Sequence, residues 1–332
     1  MKKVIAILSS MLFSINVFAM EVTGAGASFP APVYFKWAEQ YKKETNNQLN
    51  YASMGSSGGI KQINSKTVDF GATDDPVKPD KLAKKNQLQF PAVMGAVVII
   101  VNLDNVKSNE ITLDGRTLGN IFAGKITKWN ASEIKKLNPS VNLPDAAITI
   151  VHRSDGSGTT AVFTDYLVKV SDTFKSTIGK GKTVSWQGNA VGGKGNAGVS
   201  AMVKQVAGSI GYVEYSYAKQ NNLTVTKLIN KNGKAIAPSI ETFKAAASNA
   251  DWNVPGMAVN LNNQIGDNAW PITAATFIIV YDDKSESSKK TVEFFKWAFE
   301  KGDQSAVELD YVPLPDEVKQ QIVKVWQSKG LL

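Results

Sequence analysis

The residue types that could do chemistry are concentrated in one segment, RSDGSGTT at 153–160. It combines one fixed cation, small hydroxyls and two glycines, and it lies between the apolar run 148–151 and a helical pattern that begins at Ala161. Glycines let the backbone approach a ligand closely, and the first N–H groups of a helix have no internal partner. Because the helix dipole and an arginine fork also favour negative charge there, the segment predicts an oxyanion site at the carboxyl end of a strand.

Two other segments repeat this composition. GAGASFP at 24–30 precedes an amphipathic helix, and GSSGG at 55–59 joins the strand-like residues 49–52 to a helical start at Ile60. Either segment alone is compatible with an ordinary turn between a strand and a helix. Three such segments, each opening a helix, favour a common anion site. The apolar face predicted for the first helix consists of Val33, Tyr34, Trp37, Ala38 and Tyr41.

With these motifs in view, the chain closely resembles the periplasmic phosphate-binding proteins of phosphate-specific ABC transporters. The resemblance covers essentially the whole mature chain and includes GAGASFPAPVY at 24–34, GSSGG at 55–59, VDFGATD at 68–74, GKITKWN at 124–130, 153–159 and GGKGN at 192–196. It implies the α/β, two-lobed, hinged fold of periplasmic solute-binding proteins, with the ligand in a cleft between the lobes. It also implies reversible, high-affinity binding of inorganic phosphate and delivery to membrane permease subunits.

The resemblance implies a set of ligand-binding residues. One lobe supplies the Ser28 hydroxyl, the Phe29 and Ser56 N–H groups, the Ser56 hydroxyl and Asp74, and the other supplies Arg153 with donors from Ser157, Gly158 and Thr159.

Asp74 and Asp155 are unexpected in an anion site, and both could simply serve turns and helix caps. In a functional interpretation, Asp155 supports the site by orienting the guanidinium two residues away. Asp74 then accepts the proton that phosphate still carries near pH 7. We therefore expect Arg153 to be the only full positive charge in the cleft.

The N-terminus predicts export. Lys2 and Lys3 precede an apolar run over 4–18, and cleavage after Ala19 fits a secretory signal peptide. The run is shorter than the ~20 residues that span a bilayer, which disfavours an uncleaved anchor. The sequence has no cysteine, which excludes disulfides, thiolate metal sites and the lipidated cysteine of a lipoprotein. We expect a periplasmic protein that is not a lipoprotein.

Charge and histidine content limit the alternatives. The formal net charge of +8 is carried partly by lysine pairs scattered along the chain, which indicates solvated helix faces rather than a nucleic-acid surface. His152 is the single histidine, so histidine zinc sites are excluded and any conventional triad would depend on that residue. We expect a monomer without a cofactor, a metal or a nucleic-acid partner.

Short apolar runs alternate with amphipathic helices, as in α/β proteins. The long apolar stretches 92–101 and 271–281 predict strands that cross between two lobes, with crossovers near Gly95 and Ile272. The predicted division is therefore a signal peptide at 1–19, lobe I at 20–94 plus 272–332, and lobe II at 95–271. The pattern also predicts a lysine-rich helix over 79–86 and two terminal helices, 289–300 and 316–327, that pack on the sheet of lobe I.

Two motifs suggest other functions. GSSGG also fits the nucleophile elbow of hydrolases, but the only histidine is the neighbour of Arg153. GKGNAG at 193–198 fits a nucleotide-binding fingerprint, but residues 186–191 before it are loop-like, which favours a loop that lines the cleft. The alternatives that remain are a secreted phosphomonoesterase and a binding protein for another tetrahedral oxyanion, such as sulfate or molybdate. We expect a protein that is not an enzyme.

Overall fold

The computed structural model describes residues 19–248 and 250–332, so the predicted signal peptide lies outside the described residues except for Ala19. The strands are β1 (Glu21–Gly26), β2 (Gln48–Ser53), β3 (Phe70–Thr73), β4 (Gln87–Val101), β5 (Thr112–Leu113), β6 (Thr149–Arg153), β7 (Ala190–Gly193), β8 (Ser209–Glu214), β9 (Thr224–Val225), β10 (Lys227–Ile229), β11 (Ala235–Ile236) and β12 (Thr273–Tyr281). The helices are α1 (Ala31–Thr45), α2 (Ser56–Asn64), α3 (Pro79–Ala83), α4 (Gly115–Phe122), α5 (Ser132–Leu137), α6 (Gly158–Val170), α7 (Asp172–Thr177), α8 (Gly195–Gln205), α9 (Tyr215–Gln220), α10 (Ile240–Ala247), α11 (Glu286–Lys301), α12 (Asp303–Glu308) and α13 (Asp316–Ser328). A short 3₁₀ helix spans Pro255–Met257.

Most strands belong to one sheet in the order β2-β1-β3-β12-β4-β8-β6-β7, with β9 also paired to β4. The pairs β1–β2, β1–β3, β6–β7 and β6–β8 are parallel, whereas β12 is antiparallel to β3 and β4, and β8 is antiparallel to β4. The strands β11, β10 and β5 form a separate small sheet. This topology confirms the predicted α/β class.

Strand β4 joins two half-sheets. Its residues from Gln87 to Ala96 pair with β12, and those from Val97 to Val101 pair with β8. We call the part built on β2, β1, β3, β12 and the terminal helices the first lobe, and the part built on β8, β6 and β7 the second lobe. Gly95 lies opposite Ala274, next to the point where β4 changes partner. The lobe boundaries themselves stay a prediction.

The ribbon formed by β4 and β12 contains a bulge. Thr276 lies opposite Val93, but Phe277 lies opposite Pro91, so β4 carries Ala92 as one extra residue. Proline has no N–H to donate to the ladder, and a bulge increases the local twist and changes the direction of a neighbouring side chain. The ribbon is therefore irregular where it joins the two lobes.

The two terminal helices pack on the first lobe, as predicted. In α11, the Phe295 ring lies 5.3 Å from that of Phe70 on β3 and 5.9 Å from that of Tyr34 on α1. In α13, the Trp326 ring lies 4.8 Å from that of Phe90 on β4. All of these side chains are buried, and so is most of the predicted apolar face of α1. The burial of these side chains packs the two C-terminal helices against the sheet formed by the N-terminal part of the chain.

Two local predictions were wrong. Residues 186–191 were predicted as loop-like, but the last two of them begin β7, which pairs in parallel with β6 at the edge of the sheet. An edge strand that is mostly half-buried has little apolar signal, and its glycines resemble a loop. The lysine-rich helix predicted over 79–86 ends at Ala83, because Asn86 adopts a left-handed φ of 52° just before β4.

The predicted anion loops lie at the carboxyl ends of strands. β1 leads to Ser28, β2 to Ser56, β3 to Asp74 and β6, through its last residue Arg153, to the start of α6. The carboxyl ends of strands in open α/β sheets are where ligands bind. Within the described residues, the helices are all too short or too polar to cross a membrane.

Two neighbouring glycines in the first turn of α2, Gly58 and Gly59, show how closely this helix packs on the strands. A Cβ at Gly59 would lie 2.5 Å from the carbonyl oxygen of Ala25 and 2.9 Å from that of Ala72, whereas the nearest atoms to one at Gly58 belong to the flexible Met54 side chain, with Cγ at 2.9 Å. We expect Gly59→Ala to lower the free energy of unfolding by about 1–3 kcal/mol, because backbone atoms would have to move.

The matched control is Gly58→Ala in the same helix. Alanine favours a helix over glycine by up to about 1 kcal/mol, so this variant should be neutral or slightly more stable. Urea unfolding of both variants measures the difference. Equal stability of the two proteins would contradict the close approach of α2 to β1 and β3.

Candidate functional site

The structure brings all eight predicted binding residues to one cleft between the lobes. All of them are buried, and Asp155 is half-buried. The first lobe contributes residues from the loop before α1, the start of α2 and the end of β3, and the second lobe contributes the end of β6 and the start of α6. The residues are Ser28, Phe29, Ser56, Asp74, Arg153, Ser157, Gly158 and Thr159.

Arg153 is held by a bidentate ion pair. Its Nε donates to Asp155 Oδ1 at 2.8 Å and its Nη2 donates to Oδ2 at 2.5 Å, while the Gly195 N–H also donates to Oδ1 at 3.0 Å. Burial raises the pKa of Asp155, but the hydrogen bonds and charge of Arg153 outweigh this and hold it below its ordinary value. Asp155 therefore stays ionised, and its two hydrogen bonds from Arg153 orient the guanidinium.

The two lobes touch at the site. The Gly158 N–H donates to Ser56 Oγ at 3.0 Å, and the Ser57 N–H donates to the Gly156 carbonyl at 2.9 Å. A Cβ at Gly158 would lie 2.5 Å from Asp74 Oδ2, so only glycine permits this approach. The arrangement described is therefore a closed one.

Three hydroxyls in the cleft can act toward a ligand only as donors. Ser28 Oγ accepts from the Asn196 N–H and Nδ2 at 3.1 and 2.8 Å, and Ser56 Oγ accepts from the N–H groups of Gly158 and Asp74 at 3.0 and 3.3 Å. Thr159 Oγ1 accepts from Nη1 of the site arginine and from the asparagine Nδ2, both at 3.2 Å. A hydroxyl has two lone pairs, and both are used here, so only its proton remains to offer.

Backbone donors add to this set. The N–H groups of Phe29, Ser56 and Thr159 are buried, and none has a hydrogen-bond acceptor within residues 19–248 and 250–332. Those of Ser56 and Thr159 belong to the first turns of α2 and α6, where the helix supplies no acceptor. Buried N–H groups are almost always paired, so these three are suited to an oxyanion.

Ser157 is used differently. Its N–H donates to the Lys182 carbonyl at 2.9 Å, and its Oγ accepts from the Thr160 N–H at 3.0 Å. It therefore caps α6, and its hydroxyl proton is the group that it can offer to a ligand.

Asp74 is the one acceptor among these donors. Its Oδ1 accepts from Thr276 Oγ1 at 2.9 Å. Burial raises the pKa of Asp74 to about 7, against the lowering effects of the Thr276 hydrogen bond and the positive charge of Arg153. The carboxyl can therefore exchange a proton with a ligand near neutral pH.

Several residues of the site were missed at the sequence level. Asn196 is fully buried and joins Ser28 to Thr159, while Thr276 reaches Asp74 from β12. The only signals were an asparagine in a glycine-rich motif and a threonine in an apolar strand.

A second cation lies near the cleft, contrary to the expectation that Arg153 is alone. Lys182 Nζ of the second lobe lies 2.7 Å from Asp75 Oδ2 of the first lobe, with both side chains partly exposed. Its positive charge also lowers the pKa of Asp74. This ion pair bridges the lobes at the edge of the site.

The described residues give neither alternative motif the geometry that its function requires. Ser57, the nucleophile position of the elbow motif, is exposed, while His152 Nδ1 lies 2.9 Å from the Arg153 carbonyl and its ring stacks on Trp186. The 193–198 motif lines the cleft through Gly195 and Asn196, as predicted. The described part of the chain holds no cluster of three or more histidine, aspartate or glutamate side chains suited to a metal.

Comparisons with known proteins agree with this geometry. The profile of the PBP superfamily domain matches residues 18–301. The chain is 52% identical to the phosphate-binding protein PstS of Pasteurella multocida, over 98% of this chain and 96% of that one, and 51% identical to PstS of Haemophilus influenzae, over 94% of each.

Solved structures share the fold at low identity. A phosphate ABC transporter substrate-binding protein from Clostridium perfringens, solved with bound phosphate, has a TM-score of 0.64 at 19% identity and covers 89% of this chain and 100% of its own. A phosphate-binding protein from Stenotrophomonas maltophilia has a TM-score of 0.67 at 20% identity, covering 92% and 93%. These structural similarities confirm the predicted two-lobed fold. The matching profile and the PstS relatives show that the chain belongs to the phosphate-binding protein family of the PBP superfamily.

Proposed function

We propose that this protein binds inorganic phosphate reversibly in the cleft and delivers it to the membrane permease subunits of an ABC transporter. The observation that carries the proposal is the donor set. Three hydroxyls with both lone pairs occupied, three buried N–H groups without an acceptor in the described residues, and one oriented guanidinium share the cleft with the carboxyl acceptor Asp74. Such a site is complementary to a tetrahedral oxyanion that carries one proton.

The proposed ligand also fits the electrostatics. Arg153 is paired with Asp155, so the cleft carries little net positive charge of its own, and an anion is held mainly by oriented dipoles and charged hydrogen bonds. These are stronger where water is excluded, as in the closed arrangement. We propose that the lobes open to admit phosphate and close on it about the β4–β12 ribbon.

The proposal includes export and the absence of catalysis. The N-terminal segment ending at Ala19 would direct the chain to the periplasm, where it would act as a monomer without a lipid anchor. Relatives in this family are binding proteins, and the single histidine of the sequence, His152, is engaged with a backbone carbonyl and pairs with no hydroxyl in the described residues. A generic phosphomonoester should therefore not be turned over by the pure protein.

Removal of Arg153 should severely weaken phosphate binding. We expect Arg153→Ala to cost about 2–5 kcal/mol of binding free energy, because it removes a charged donor and leaves the half-buried Asp155 without its cationic partner. Arg153→Lys should also bind poorly, since an ammonium cannot replace the planar fork. Isothermal titration calorimetry measures both.

The control is Arg116→Ala, which removes the other arginine of the sequence at an exposed position on α4. It should bind phosphate like the wild type. Unchanged affinity in Arg153→Ala would remove Arg153 from the site.

Asp74 should determine the choice between oxyanions. Phosphate near neutral pH can donate a proton to this carboxyl, whereas sulfate has none, and a site built for a hydroxyl can reject an analogue that lacks it by roughly 10⁴–10⁵. We expect strong preference for phosphate over sulfate, competition by arsenate, and a narrower preference in Asp74→Asn, whose amide can donate to sulfate. Competition calorimetry gives the ratios, and an unchanged ratio in the variant would refute the acceptor role.

Asp74 should also make stability depend on pH. Its folded-state pKa of about 7 exceeds its ordinary value of 3.8, so between these values the folded protein holds a proton that the unfolded chain has lost. Linkage then requires this group's contribution to the unfolding free energy to fall as pH rises from about 4 to about 7, by roughly 1 kcal/mol per pH unit.

Urea unfolding in phosphate-free buffer tests this by comparing wild type with Asp74→Asn, which is neutral throughout. The buried Glu214, whose pKa burial also raises, is common to both proteins and cancels in the difference. Asp80→Asn, an exposed position on α3, is the control and should follow the wild type. Parallel pH profiles for wild type and Asp74→Asn would contradict the raised pKa.

A further inference from the structure

A hydrogen bond crosses the cleft to the loop that opens α1. The Tyr217 hydroxyl, on α9 of the second lobe, donates to the Ser28 carbonyl of the first lobe at 2.7 Å. Because Tyr217 lies on the second lobe and Ser28 on the first, this bond forms only when the lobes meet. Burial of the phenol raises the pKa of Tyr217, which keeps the hydroxyl a donor at neutral pH.

The Ser28 carbonyl belongs to the same peptide unit as the Phe29 N–H. The described residues contain no cis peptide bond, and in a trans peptide the carbonyl and the N–H point in opposite directions within one rigid plane. The Ser28 carbonyl accepts from the Ala31 N–H of its own loop at 3.3 Å and, at the shorter distance, from Tyr217 of the other lobe. A donor that holds the carbonyl therefore also sets the direction of the N–H. It polarises the peptide unit as well, which makes the N–H a better donor.

The next carbonyl provides a contrast. The Phe29 carbonyl accepts from the Tyr311 hydroxyl at 2.6 Å, but that peptide unit ends at Pro30, which has no N–H. Tyr311 can therefore stabilise the loop without orienting a donor. Of the two tyrosines, only Tyr217 holds a peptide that presents a buried N–H without an acceptor in the described chain.

We propose that Tyr217 is a positioning residue of the anion site, which reaches across the cleft to the Ser28 carbonyl and so aims the Phe29 N–H at the ligand. The inference rests on the proposed function, because it assigns the ligand's contact with that N–H. It makes the strength of one donor in the first lobe depend on a side chain of the second lobe, and hence on closure.

The test compares Tyr217→Phe with the wild type in phosphate titrations. One neutral hydrogen bond is lost, so we expect an affinity about 3- to 10-fold weaker, with most of the change in the dissociation rate. Tyr215→Phe is the matched control, because that hydroxyl lies on the same helix and makes no hydrogen bond with the described residues. The melting temperatures of the phosphate-free proteins establish that all three are folded.

Amide NMR separates positioning from simple loss of a contact between the lobes. In wild type, phosphate should move the Phe29, Ser56 and Thr159 amide protons downfield, and in Tyr217→Phe only the Phe29 response should shrink. Equal loss at all three amides, or wild-type affinity in the variant, would overturn the positioning role. Failure of wild type itself to bind phosphate would instead overturn the proposed function.

Discussion

The ion pair between Arg153 and Asp155 is the interaction on which the rest of the cleft depends. A guanidinium buried without a partner would be costly, and one paired loosely would not present a defined face. The bidentate geometry satisfies both demands and leaves Nη1 to donate to Thr159. Asp155 in turn receives the Gly195 N–H, so the pair also ties the start of α6 to the start of α8. An anion that enters the cleft therefore encounters the Arg153 guanidinium already oriented by Asp155.

The remaining donors are prepared by the same means, through occupation of their other hydrogen-bonding capacity. Ser28, Ser56 and Thr159 each receive two bonds from the protein, which decides the direction of their protons before a ligand arrives. Preorganisation of this kind reduces the entropy that binding would otherwise cost. It also explains the buried amide of Asn196, which donates to one hydroxyl of each lobe, Ser28 and Thr159. Asn196 can orient these two hydroxyls without contacting the ligand.

The sequence predicts interactions between residues that are close in the chain better than interactions between distant ones. Glycines and hydroxyls that open helices are local signals, and they indicated the three anion loops at 24–30, 55–59 and 153–160. Asn196, Thr276 and Tyr217 act on residues 168, 202 and 189 positions away, and no spacing in the chain records such contacts. The edge strand β7 was not predicted for a different reason. A half-buried strand with two glycines lacks the apolar pattern of the central strands. The resemblance supplied individual residue roles that composition alone would have left open.

The bulge at Ala92 has a consequence for how the cleft could respond to its own opening. Thr276, which lies opposite Val93 beside the bulge, belongs to the ribbon that joins the lobes and also donates to Asp74. The Thr276 hydrogen bond lowers the pKa of Asp74, so if the ribbon bends when the lobes open, as proposed, this hydroxyl couples the bending to the proton affinity of the carboxyl. Such coupling is reciprocal, so a change in protonation would shift the balance between open and closed forms as much as opening shifts the proton affinity. Thr276 would then be part of both the hinge and the binding site.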